Sequence, residues 1–224
     1  MRSVRRSSAR KARRNPGRSF CDLSNNNAFS GIRLYDPRVY ARTHPFLVHK
    51  ATQGTNFIDS LHAERCEITH TQGIPVGHYH FMDGFGDGKR AVTEADHFLK
   101  TVLPHFMHHK PESGLRNDFL ILDIETPQTS PNECIRAFES RIDAEAKLPV
   151  ICYTGLSYFM SHRLRCKSRK WWLAAYPGPL PRKLPDNQLI WAHQFSDNGK
   201  CEGVAGACDM SLLVDNGSIK YWDR

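Results

Sequence analysis

Four consecutive apolar residues, Phe119-Leu120-Ile121-Leu122, run straight into Asp123-Ile124-Glu125-Thr126-Pro127. The run reads as a buried strand, and Pro127 stops it. Asp123 and Glu125 are two residues apart, so on a strand they point to the same face. Carboxyls paired at a strand end raise each other's pKa, and one stays protonated while the other is charged. Glycoside cleavage needs that division of labour. The same tripeptide also fits a plain strand end with two solvated acids, so the rest of the chain has to decide.

Short apolar segments recur along the 224 residues. They predict strands near 30–34, 46–50, 74–79, 119–123, 149–153, 171–175, 188–192 and 206–210. Helical stripes lie between some of them: Ala91, Ala95, Phe98, Leu99 and Val102 form one, and Ile135, Phe138 and Ile142 another. Asp59 and Pro131-Asn132 fit helix starts, while Gly73 and Pro149 follow helix ends. Strands alternating with helices imply parallel pairing and right-handed crossovers, and eight such strands close a barrel. The connections 176–187 and 193–205 lack apolar periodicity. The expected fold is therefore α/β: a modified TIM-like β/α barrel with eight strands and fewer than eight helices.

A length of 224 residues with 40% hydrophobic and 24% charged content suits a soluble globular chain with a sizeable core. No stretch approaches the roughly 20 apolar residues of a membrane span. The basic N-terminus has no apolar segment behind it, so no secretory signal peptide is expected. The net charge of +8 is local: residues 1–20 hold Arg2, Arg5, Arg6, Arg10, Lys11, Arg13, Arg14 and Arg18 and no acid. The other 23 basic residues balance the 23 acidic ones. Residues 1–28 are thus expected to form a disordered basic arm, with the folded domain spanning 29–224. Such an arm, through residues 2–18, suits an anionic wall polymer, a membrane surface or nucleic acid. The seven cysteines include no CxxC pair and argue for a reducing compartment without a disulfide framework, with room for one bridge such as Cys201–Cys208. His105, His108 and His109 read as a solvated helix end, not a metal site.

Seven segments in register resemble the family 25 glycoside hydrolases, the Chalaropsis-type lysozymes. Gly31-Ile32 is similar to the opening strand, and Lys50-Ala51-Thr52-Gln53-Gly54 to the Lys-Ala-Thr-Glu-Gly turn after the second. Gly77-His78-Tyr79-His80-Phe81 resembles the Gly-x-Tyr-His-Phe strand, and Leu122-Asp123-Ile124-Glu125 the Asp-x-Glu strand. Pro149–Thr154 and Trp172–Tyr176 resemble the next two. Gln194-Phe195-Ser196, then Gly203-Val204-Ala205-Gly206 and Asp209, resemble the closing pattern.

The resemblance implies a peptidoglycan muramidase that hydrolyses the β-1,4 bond between N-acetylmuramic acid and N-acetylglucosamine. Glu125 would be the general acid, and Asp123 would support the substrate's 2-acetamido group or stabilise the oxocarbenium-like charge directly. Asp209 would be a third acid in the barrel mouth, and it fits equally a turn residue before Ser211-Leu212-Leu213. Tyr79, Tyr153, Tyr176 and Gln194 would contact sugar. The resemblance further implies a monomer acting on glycan strands with no metal or organic cofactor. It fits a phage lysin or virion-associated hydrolase made in a host cytoplasm. Arg33 stands where the family's first strand carries an acid, and an Arg beside the pair would depress both carboxyl pKa values. The segment from Arg33 to Lys50 is shorter than the family's; Gln53 replaces the turn Glu, and His193 an aromatic. Two other readings stand beside the enzyme. One is a wall-binding or structural protein on a catalytically impaired barrel, and the other a nucleic-acid binder acting through the Arg-rich arm.

Overall fold

The computed structural model describes residues 18–27, 35–108, 117–176 and 178–214. Nine strands form one sheet: β1 Ser19–Leu23, β2 Leu47–Gln53, β3 Phe57–Ile58, β4 Val76–Phe81, β5 Phe119–Asp123, β6 Val150–Gly155, β7 Lys170–Ala174, β8 Leu189–Gly199 and β9 Cys208–Leu213. Eight of them close on themselves in the order β1-β2-β4-β5-β6-β7-β8-β9, and β3 is a two-residue strand added to the end of β2. Every barrel seam is parallel except the two made by β9, which runs antiparallel to both β8 and β1. Five α-helices accompany the strands among the described residues: α1 Pro37–Tyr40, α2 His62–His70, α3 Gly88–Val102, α4 Pro131–Ala146 and α5 Leu156–His162. The fold is the expected modified β/α barrel, with fewer helices than strands.

Alternation along the strands sorts the core into two layers. Phe119 and Ile121 of β5 point into the barrel, where they meet Phe20, Phe46, Ile151, Trp172 and Trp191. Leu120, Leu122 and Ile124 point outward against the apolar stripes of α3 and α4. Aromatic rings fill the barrel floor; Phe46 lies 4.8 Å from Phe20 and 5.8 Å from Trp191. The barrel is therefore a packed core below and a site only at its upper end, as the strand direction of a β/α barrel requires.

The first strand differs from expectation. The strand read near 30–34 lies outside the described residues, and the barrel's opening strand is Ser19–Leu23. The arm boundary at residue 28 is therefore too late. Phe20, Cys21 and Leu23 are buried and paired with β9 and β2, and burial of those side chains outweighs the basic composition next to them. The connection from β1 to β2 is consequently long, not trimmed. Asp59 anchors it, accepting from the Asn25 amide at 2.7 Å and from the Leu61 amide at 2.9 Å ahead of α2. β8 is also longer than the expected 188–192. Beyond the barrel it continues as an antiparallel ribbon with β9, where polar Ser196, Asp197 and Asn198 tolerate solvent. No helix among the described residues is long and apolar enough to cross a membrane.

Candidate active site

The upper ends of the strands bring together residues scattered from 22 to 209. β5 ends at Asp123, and the chain leaves the ladder with the Ile124 amide still bonded to the Tyr153 carbonyl at 3.0 Å. Ile124 is fully buried on the helix side, so Asp123 and Glu125 face the barrel mouth together. Asp123 is 7% exposed, and its Oδ1 has no hydrogen-bond partner within the protein. Burial pushes its pKa well up; the nearby Glu125, Asp22 and Asp209 push it further, and Lys50 opposes them. Glu125 is open to solvent on one side and hemmed in by protein on the other. Its partial burial raises its pKa, again against the pull of Lys50.

Lys50 is a cation close enough to act on both acids of the pair. It comes up from β2 with little exposure, donates to Gln53 Oε1 at 2.7 Å, and lies 4.7 Å from the Phe81 ring centroid. Gln53 in turn donates to Asp83 at 3.2 Å, so the glutamine at the turn position serves as a relay from the lysine. On the neighbouring strand, Asp22 of β1 sits directly across from Asp209 of β9. Gln194 Nε2 donates to Asp22 Oδ1 at 3.2 Å, and the Tyr153 hydroxyl donates to Gln194 Oε1 at 2.8 Å. Burial and the facing Asp209 hold the Asp22 pKa well above its usual range. Asp209 itself is pushed up to about 6 by burial and by Asp197.

The structure thus places all seven residues singled out in the sequence at one end of the barrel. Tyr79 is half-buried among Asp22, Asp123, Asp59 and Asp209, whose negative charges together with burial raise its phenol pKa. Tyr153 packs against Trp172 with the rings tilted at 58° and centroids 4.5 Å apart. Tyr176 stands at the rim, 45% exposed. The glycine-rich loop after β4 lies at the same end, tied to the β5 exit by the Phe85 amide bonded to the Pro127 carbonyl, and it presents Phe85 to solvent. His80, by contrast, is a satisfied core residue: fully buried, it meets Thr52 Oγ1 at 2.8 Å and Glu94 Oε2 at 2.9 Å.

Two residues of the site were missed or left without a role in the sequence. Asp22 supplies the first-strand acid, so the inference that Arg33 replaces that acid is overturned; Arg33 itself lies outside the described residues. The available signal was an apolar pair followed by Asp, Phe20-Cys21-Asp22, hidden beside the Arg-rich run. Lys50 was visible within its motif, but its place beside the acids was not.

A β/α barrel whose strand tips carry several mutually perturbed carboxyls beside Lys50 is built for acid–base chemistry on a polar ligand. Residues 35–204 match Glycosyl hydrolases family 25, and the chain belongs to that family. The matched span excludes both β1 and β9, the strands that carry Asp22 and Asp209. The chain is 25% identical over 169 residues to an autolytic lysozyme of Clostridium acetobutylicum, covering 72% of this chain and 46% of that protein. It therefore spans about half the length of the curated relative it matches. Among solved structures, the Clostridium perfringens spore cortex lytic enzyme SleM has 26% identity and a TM-score of 0.72, with 87% of this chain and 66% of that one covered. The catalytic domain of endolysin ply40 from a Listeria monocytogenes bacteriophage shares the fold, with 20% identity, a TM-score of 0.72, and 93% and 98% covered.

Proposed function

We propose that the chain is a peptidoglycan muramidase that hydrolyses the β-1,4 bond between N-acetylmuramic acid and N-acetylglucosamine. The observation that carries this reading is the buried, unpartnered Oδ1 of Asp123 beside Glu125, whose pKa is raised. An acetamido N–H on the substrate is the kind of donor that oxygen needs. In the proposed reaction Glu125 gives its proton to the glycosidic oxygen as the bond breaks. Asp123 holds the 2-acetamido group while its carbonyl oxygen attacks the anomeric carbon. Water then opens the intermediate, returning a proton to Glu125. Two acids leaving one strand on one face do not straddle the bond as a separate nucleophile would, which favours this substrate-assisted course. Asp22 and Asp209 add negative potential opposite the positive charge that develops on the sugar. Tyr79, Tyr153 and Gln194 line the floor, and Tyr176 the rim.

The relatives' printed names, an autolytic lysozyme, a spore cortex lytic enzyme and an endolysin, support wall glycan as the substrate. A phage lysin or virion-associated hydrolase acting as a monomer remains the proposed setting. The impaired-barrel alternative rested on Arg33, and Asp22 removes its basis. Purified wall embedded in a gel should clear with the wild type and not with Glu125→Gln, a loss of about 10²–10⁴-fold. New muramic acid reducing ends should appear in the digest. Clearing by Glu125→Gln at the wild-type rate would end the assignment.

A further inference from the structure

We propose that Cys21, Cys201, Cys208 and His44 form a structural zinc site that fastens the first strand of the barrel to its closing hairpin. The three sulfur atoms lie within 4.8 Å of one another although they come from β1, the β8–β9 connection and the start of β9. All three thiols are unbridged and buried. His44, from the segment between α1 and β2, brings Nε2 to 3.1 Å from Cys201 Sγ. Its other nitrogen, Nδ1, lies 2.8 Å from the Ser19 carbonyl. A carbonyl only accepts, so Nδ1 carries the hydrogen and the Nε2 lone pair faces the sulfurs. This is the outer-shell contact that fixes a metal-binding imidazole in its ligating tautomer. A tilted contact with the Tyr40 ring, centroids 4.3 Å apart, holds the imidazole in place.

Three thiolates and one imidazole are a donor set for tetrahedral zinc. Zinc–sulfur bonds of about 2.3 Å set the sulfurs roughly 3.8 Å apart, so drawing the three sulfurs together needs shifts of about 1 Å or less, while His44, against Cys201 but outside that compact group, must turn further to complete the tetrahedron. Binding is charge-balanced without any redox partner: three thiols release three protons as Zn²⁺ enters, leaving a site of net charge −1 with a neutral histidine. A groove lined by Lys200, Cys201, Glu202 and Gly206 opens beside Cys201 and provides a way in. The location gives the metal a purpose. β1 pairs with β2 at only two positions, Asp22↔Val48 and Leu23↔His49, the weakest parallel seam of the barrel. A metal joining β1 to the β8–β9 connection would hold in place the strand that carries Asp22.

A second group, His62, Cys66 and His78, is also compact. Its histidines already bond to each other at 2.8 Å, and His78 bonds to Asp118 at 3.0 Å, so this group is held together without an ion. The test uses the full chain, purified under reducing conditions with zinc supplied and then dialysed. We expect one zinc per chain, retained by Cys66→Ser and lost from Cys208→Ser and His44→Ala. Chelation should lower the Tm by at least about 5 °C. Cobalt substituted into the wild type should show a thiolate-to-cobalt charge-transfer band and tetrahedral visible bands, a readout that does not depend on any variant folding. Absence of stoichiometric zinc, a mapped Cys201–Cys208 disulfide in the native protein, or zinc lost from Cys66→Ser but kept by Cys208→Ser would each overturn the proposal.

Discussion

The carboxyls at the barrel mouth work against their own ionisation, and two consequences can be measured. Lys50 pulls the Glu125 pKa down while burial pushes it up. If Glu125 must be protonated to act, activity falls as pH rises through its pKa. Lys50→Met removes the downward pull, so the alkaline limb of the kcat profile should move to higher pH even though the maximum drops. A limb that stays put or moves to lower pH would mean that the titrating acid is not Glu125. Asp209 offers a stability measurement. Its folded pKa of about 6 lies above the ordinary 3.8, so the folded state favours the neutral form. Below about pH 4 there is no penalty; between about pH 4 and 6 the folded state loses stability as the group ionises, and above that the loss is complete. Asp209→Asn should therefore add on the order of 2 kcal/mol of stability at pH 7.5, read as a Tm higher by several degrees, and have little effect at pH 4. Wall lysis should fall in the same variant, the usual opposition between stability and a strained site.

Elements hold these side chains where they are. α1 and the β8–β9 connection meet at Gly203, whose φ is +82° and whose carbonyl accepts from the Asp36 amide at 2.7 Å. A Cβ there would sit 2.6 Å from the Tyr40 nitrogen, which is main chain and cannot rotate away. Gly203→Ala should cost at least about 1–2 kcal/mol for the left-handed conformation alone, and the clash adds to that. Thermal unfolding should show a Tm lower by several degrees; an unchanged Tm would mean this connection does not brace the barrel. The same interval shows how far elements can be read from a chain. α3 and α4 were legible because each carries a long apolar stripe at helical spacing. β5 was legible because five consecutive residues are buried. β1 was not: five residues with only partial alternation, next to a run of arginines, carry less signal than the charge beside them.

For the molecule as a whole, the excess positive charge lies almost entirely before β1. Because the first strand begins at Ser19, the arm can be removed cleanly only up to residue 17. A chain starting at Arg18 should keep the Tm and the turnover of soluble glycan while binding wall less tightly at low salt. The difference should vanish as screening rises through about 0.15 M ionic strength. Equal wall binding at low salt would remove the arm from the mechanism. A chain starting at Ser24 lacks β1 altogether and should not fold, since it opens the barrel along two seams.

Local pattern was enough to establish the α/β class, seven of the eight barrel strands, and the pair Asp123 and Glu125 on one face of β5. Each of these depends on periodicity or on neighbours in the chain, and such information survives in one dimension. Barrel closure, the facing of Asp22 and Asp209, the reach of Lys50, and the meeting of three cysteines with His44 depend on contacts between residues as far apart as Ser19 and Leu212. Nothing local encodes those distances. They follow from which strand ends as neighbour to which, and that is settled only when the sheet curls and buries its aromatic floor.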